Sequence, residues 1–145
     1  MENPTIVHQN FKLQTMPRRV LGLYDKIFWK YVQEQQMHLQ CCSSCHKFHY
    51  PPGPICSHCL SENLEWKPVC GRAYIISWVV FHRSYLPSYP APYNVITVRL
   101  EEGPLFISNL EGKPPVESWI GVDVDLIYTA MDESQFLPRF KLRSI

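Results

Sequence analysis

The sequence predicts a mostly β protein: an N-terminal helical segment, a zinc ribbon, and then an OB-like barrel. Three observations carry that expectation. Cys42-Ser43-Ser44-Cys45 and Cys56-Ser57-His58-Cys59 are two C-x-x-C turns with ten residues between them. Downstream, five short strand-like runs follow with no crossover helices between them, which suits a small closed or partly closed barrel better than a parallel α/β sheet. Upstream, one run repeats apolar residues at three- and four-residue intervals. The implied organisation is an N-terminal arm over 1–20, a helical segment over 21–37, the ribbon over 38–65 and the OB fold over 66–145.

Composition sets the limits. A chain of 145 residues, 46% hydrophobic and 13% aromatic, can bury a core and is not a disordered composition. Its formal charge is +1. Four metal-bound thiolates and one dication bring that to about −1. Neither value supplies the concentrated basic surface that nucleic acid requires, so nucleic-acid binding is not expected. No apolar run is long enough for a membrane span, and no signal-peptide pattern opens the chain. Paired C-x-x-C spacing without an export signal points to metal in a reducing compartment, so a cytoplasmic protein without disulfides is expected.

The first twenty residues are mixed, with Pro4, Pro17 and the pair Arg18-Arg19, and read as a mobile arm. From Leu21 to about Met37, Leu21, Tyr24, Ile27, Phe28, Tyr31 and Val32 share one helical face. Trp29 widens it. That face serves either core packing or docking, and Phe28 and Trp29 are its candidate partner contacts. Met37 to Cys41 reads as a short strand that delivers the chain to the first metal turn. Leu64 to Val69 begins a new sheet, and Ala73 to Phe81 concentrates β-branched and aromatic residues. A proline-rich loop around Tyr85 and Tyr89 follows. Asn94–Leu100 and Leu105–Leu110 are the next strands, separated by the turn Glu101-Glu102-Gly103-Pro104. Gly121 to Tyr128 alternates so that Val122, Val124 and Leu126 face inward while Asp123 and Asp125 meet water. Leu137 to Arg143 alternates once past its proline.

The four thiolates Cys42, Cys45, Cys56 and Cys59 are the expected ligands of Zn2+, which prefers four soft donors in a tetrahedron. Cys41 in place of Cys42 lengthens the first turn to C-x-x-x-C. His46, His49 and His58 lie close by as alternative donors. Iron also occupies four-sulfur sites, and the colour of the purified protein separates the two metals. Four cysteines leave no open position for water or substrate, so the site reads as structural rather than catalytic.

Chemistry outside the ribbon is thin. Cys70 precedes the Ala73–Phe81 strand and His82 follows it; as an acyl-transfer pair they would need to meet across roughly 30 Å of extended chain. Arg83 suits a phosphate or a carboxylate. With Tyr85 and His82 it forms the candidate partner- or substrate-side surface. Asp123 and Asp125 share a strand face, as a solvated edge also requires. No nucleotide-binding glycine loop, H-E-x-x-H motif or serine elbow is present.

Several pieces together resemble the zinc-ribbon/OB-fold family of thiolase-associated proteins. They are Phe28-Trp29, the four ribbon cysteines with Leu64-Glu65-Trp66, Ser77 to Arg83, Glu102-Gly103-Pro104 with Ser108-Asn109-Leu110, Ile120-Gly121, and Leu137-Pro138-Arg139-Phe140. His46 stands where the family often has glycine, and Cys41 where it often has arginine. The resemblance implies a rubredoxin-like ribbon, a C-terminal OB fold and service as a partner of thiolases, aldolases or hydratases, in some members with acyl-CoA binding. Within the family, the chain is similar to small subunits of C-acetyltransferase complexes that convert monoacetylphloroglucinol to 2,4-diacetylphloroglucinol and phloroglucinol in antibiotic biosynthesis. That similarity implies a non-catalytic structural subunit. A thiolase-like catalytic subunit would carry the nucleophile, and a ketosynthase-like subunit would complete the hetero-oligomer. The alternative is an accessory acyl-CoA-binding or scaffolding partner of a thiolase, aldolase or hydratase.

Overall fold

The computed structural model describes residues 19–131 and 135–144. All but the last two residues of the expected N-terminal arm lie outside them.

Helix α1 runs Leu23–Gln33. The Asp25 carboxylate accepts the Gly22 backbone N–H at 3.0 Å, which satisfies an orphan donor and places negative charge at the positive end of the helix dipole. The helix stops four residues before Met37, the expected end. Gln35 takes a left-handed φ of 57° and donates to the Val32 carbonyl, while the Gln36 N–H reaches back to Tyr31. That is a Schellman ending, made here without the usual glycine.

The ribbon is a three-stranded antiparallel sheet of β1 (His38–Cys42), β2 (Phe48–His49) and β3 (Leu64–Pro68), in the order β2-β1-β3. A second sheet contains β4 (Arg72–Phe81), β5 (Tyr93–Leu100), β6 (Leu105–Ser108), β7 (Leu110–Glu111), β8 (Asp123–Ala130) and β9 (Phe136–Leu142). Its order is β6-β5-β4-β8-β9-β7, with β7 and β9 parallel. The protein is mostly β, with one N-terminal helix, as expected.

Two expectations about this sheet need correction. The single strand anticipated over 105–110 breaks at Asn109, and no continuous ladder closes the barrel. β6 and β7 end the sheet order, although they are consecutive in the chain. Side chains make the join instead. The Asn94 carboxamide donates to the Leu110 carbonyl at 2.9 Å and accepts the Leu110 N–H at 2.7 Å. The Asn109 side chain donates to the Asn94 carbonyl, and the Ser108 hydroxyl donates to Pro138 at 2.7 Å. Both Asn94 and Ser108 are buried, so these bonds satisfy groups that water does not reach.

Ile75, Ile96, Val98, Leu100, Val124 and Phe140 form the centre of the second sheet's core. Phe28 and Val32 of α1 insert beside them. The Phe28 ring lies 5.4 Å from Tyr50 of the ribbon and 6.3 Å from Phe106 of β6, and Tyr50 and Phe106 are 4.7 Å apart. One aromatic cluster thus joins helix, ribbon and sheet. The Met37 N–H, donating to the Tyr128 hydroxyl at 2.6 Å, ties the linker after the helix to β8.

Candidate metal centre

β1 delivers Cys42 to the first turn, and the loop before β3 carries the second. The two turns have the same backbone. In the first, His46 donates to the Cys42 carbonyl at 2.8 Å; in the second, Leu60 donates to Cys56 at 2.9 Å. His46 has φ 63° and Leu60 φ 62°, both in the left-handed region where side chains are strained. This conformation gives glycine its advantage at the position of His46. Each turn aims its sulfurs at the other. Cys42 Sγ lies 3.6 Å from Cys59 Sγ, Cys45 Sγ lies 3.6 Å from Cys56 Sγ, and all four atoms fall within 4.8 Å of one another.

A tetrahedron with Zn–S bonds of about 2.3 Å has S···S edges of roughly 3.8 Å, so this donor set fits Zn2+. Backbone dipoles assist. The N–H groups of His58 and Cys59 both point at Cys56 Sγ, each at 3.4 Å. The Cys45 amide is the main influence that brings the Cys42 thiol down to about 6. At Cys59 the Ser61 amide pulls downward, but desolvation and the three neighbouring sulfurs prevail and push the thiol up to about 12. Four sulfurs this close cannot all hold negative charge without a cation among them. Around the sulfurs, Ser44 and Ser61 hydroxyls meet at 3.0 Å and Ser43 bonds the Asn63 carbonyl, which links the two turns.

Cys41 is buried on the opposite face of β1, because successive strand residues alternate. The four-sulfur cluster contains no histidine. His49 is buried and engages Ser57 at 3.0 Å, and desolvation followed by repulsion from His58 lowers its pKa.

The remaining candidates separate. Cys70 and His82 sit beyond opposite ends of β4. The Cys70 thiol belongs to an exposed residue and contacts Glu101 at 3.2 Å; partial desolvation by its neighbours, together with the two acidic side chains, raises its pKa, the reverse of what a nucleophile needs. Glu101 also takes a forked contact from Arg72, a pairing between strand start and turn that no local motif announced. Asp123 and Asp125 are bridged by Arg143, whose Nε donates to Asp125 at 2.8 Å. They form an ion-pair network rather than a carboxylate dyad.

Phe28 is a correction among the surface candidates. It is 2% exposed and belongs to the core, because its helical face turns inward. Trp29 is half-buried under the Arg19 guanidinium, 4.1 Å from the ring centroid. His82, Arg83 and Tyr85 are exposed. Arg83 lies over Tyr85, which meets Phe81 edge-on, and Phe81 stacks on Tyr93 at 5.0 Å. Sequence reading missed Tyr93, although its cross-strand place opposite Phe81 supplies the contact.

Residues 29–65 match the family described as ChsH2, rubredoxin-like zinc ribbon domain, and residues 66–127 match ChsH2, C-terminal OB-fold domain. A DUF35 domain-containing scaffold protein of Pyrococcus furiosus is 30% identical over 105 residues, spanning 69% of this chain and 74% of that protein. The chain belongs to the DUF35 family. This DUF35 protein is also 32% identical to a probable enoyl-CoA hydratase alpha subunit of Thermomonospora curvata, over 81% of its own length. It spans only 37% of that relative. Among solved structures, the Ltp2-ChsH2(DUF35) aldolase shares 29% identity and a TM-score of 0.78, with 86% of this chain and 98% of that one covered. A DUF35 protein from Sulfolobus solfataricus, 16% identical with a TM-score of 0.60 over 84% of this chain and 87% of that one, shares the fold. No helix among the described residues is long and apolar enough to cross a membrane.

Proposed function

We propose that this DUF35 protein is a non-catalytic subunit that holds a thiolase-like enzyme in its active assembly, with Zn2+ bound by Cys42, Cys45, Cys56 and Cys59. The carrying observation is the closed four-sulfur cluster, whose donors fill a tetrahedron and leave no position for a reacting molecule. The bound ion supplies a cross-link between the two turns. Outside the ribbon, the candidate nucleophile Cys70 has a raised pKa and lies at the far end of β4 from His82. Reaction chemistry therefore belongs to a partner. The subunit's contribution is alignment, and small losses of alignment are costly in catalysis.

The assembly we favour is a C-acetyltransferase that converts monoacetylphloroglucinol to 2,4-diacetylphloroglucinol and phloroglucinol, with one thiolase-like and one ketosynthase-like subunit. Its support is the extended set of resembling motifs, from Phe28-Trp29 to Phe140. His82, Arg83 and Tyr85 are the exposed group placed for the partner or its substrate. The hydratase and aldolase names of the relatives favour a second reading, service to an enzyme acting on acyl-CoA. Reconstitution tests both. The favoured reading expects acetyl transfer from purified thiolase-like and ketosynthase-like subunits only when this chain is present. Full activity without it refutes the reading. Calorimetric binding of acetyl-CoA by the assembly, with no phloroglucinol acetylation, selects the second.

A further inference from the structure

The edge of β4 over Ser77–Phe81 lies within the sheet order, yet it has a ladder partner on one side only. β5 pairs with β4 along its whole length, from Ala73↔Leu100 to Phe81↔Tyr93. On the other side, β8 pairs only with Arg72, Ala73 and Tyr74, and the loop before β8 adds two hydrogen bonds at Ile75, to Gly121 and Val122. A bulge between Ile75 and Ser77 follows. Among the described residues, no backbone group pairs with that edge over residues 77–81, although the Trp119 ring stacks on Trp78 at 4.5 Å. Edges elsewhere are closed in other ways: β3 ends in Lys67-Pro68, and β6, which has neither charge nor proline, turns its Ser108 end toward β9 through the bond to Pro138. Ser77-Trp78-Val79-Val80-Phe81 has neither charge nor proline, and Ser77, Trp78 and Val79 are exposed.

We propose that this edge accepts an extended apolar segment of the thiolase-like partner by β-strand addition, with a carboxylate of that segment seated on Arg83. The inference rests on the subunit reading above. Main-chain hydrogen bonds supply the affinity of such a contact, and flanking side chains supply its selectivity. Arg83 stands just past the end of the edge and has no carboxylate partner among the described residues, so it complements an acidic residue there. A second copy of this chain fits less well. A stable interface uses about 20–30 residues a side, and five edge residues joined to five others fall far short. A large subunit adds the remaining contact elsewhere.

Hydrogen exchange on the full chain, alone and co-purified with thiolase-like and ketosynthase-like subunits, provides the test. The proposal expects at least tenfold slower exchange across residues 77–81 in the complex. Val79→Lys, at a side chain 49% exposed, should weaken assembly at least tenfold with metal content and Tm unchanged. Ile107→Lys, on the exposed outer side of β6, should leave assembly intact. A complex without protection at 77–81, or one broken equally by Ile107→Lys, overturns the edge contact alone. Protection already present in a homodimer of the isolated chain overturns the choice of partner. Failure of any complex to form refutes the subunit reading, and the edge contact with it.

Discussion

The ribbon and the second sheet are both antiparallel in the main, yet they are held by different physics. Across β4–β9, large side chains such as Ile96, Leu100 and Phe140 are wholly withdrawn from water. The ribbon's strands are short, one has two residues, and β3 has no buried side chain. Its innermost residues include Cys42 and Cys56 themselves. Apolar burial therefore suffices for one half, whereas the other depends on a metal cross-link, as expected for a module too small to build its own core. The aromatic contact of Phe28, Tyr50 and Phe106 is the seam between them.

The largest expected effect breaks the ribbon alone. Cys42→Ser should abolish metal retention, and because structural zinc is worth about 10–16 kcal/mol in small modules, the ribbon should lose its exchange protection. β4–β9 should keep theirs in hydrogen-exchange measurements. Collapse of both would show that the aromatic seam makes the sheet depend on the metal-held ribbon. Phe140→Ala is the reciprocal test. It should cost about 3–5 kcal/mol in denaturant unfolding of the sheet while leaving one metal per chain.

A smaller loss is expected at Glu111 and Arg139, an ion pair at 3.1 Å in which the arginine is 7% exposed. Thr129 donates to the same carboxylate. Glu111→Gln should cost about 3 kcal/mol by stranding a buried guanidinium, and adding Arg139→Met should recover most of it, as a double-mutant cycle would reveal. In the ribbon, His46→Gly and Leu60→Gly should each stabilise by up to about 1 kcal/mol through release of left-handed strain, read as slower metal loss to a chelator. The smallest effect belongs to Glu101, whose pKa is lowered chiefly by the Arg72 guanidinium. A depressed carboxylate contributes stability above its unfolded pKa and loses it as pH falls through the folded one. Glu101→Gln should thus lower Tm by less than about 4 °C at neutral pH, and the gap from the unmodified protein should close in acid.

Much of this contrast was legible in the sequence because cysteine spacing and strand alternation are local signals. The metal cluster followed from two short motifs, and the burial of Val124 beside exposed Asp123 followed from a period of two. What escaped depends on distant partners or on unusual residues in ordinary roles. Gln35 ends a helix where glycine is the customary sign. β2 is too short to give any periodic pattern, and it exists because Gln40 and Cys41 of β1 pair with it. Phe28 fitted either a docking face or a core, and only the arrival of Tyr50 and Phe106 from elsewhere in the chain decided between them. Arg143 joins Asp123 and Asp125 from twenty and eighteen positions away, beyond the reach of any motif.

Asn94 has a consequence of its own. Its side chain imitates a peptide group, offering one donor and one acceptor to Leu110 at the place where the chain changes strand partner. Replacing its amide nitrogen with oxygen, the single-atom change of deamidation, would turn the donor into a second acceptor facing a carbonyl. Ageing chemistry at that one atom would pry the curled sheet apart at its join, and seclusion from water is what protects it.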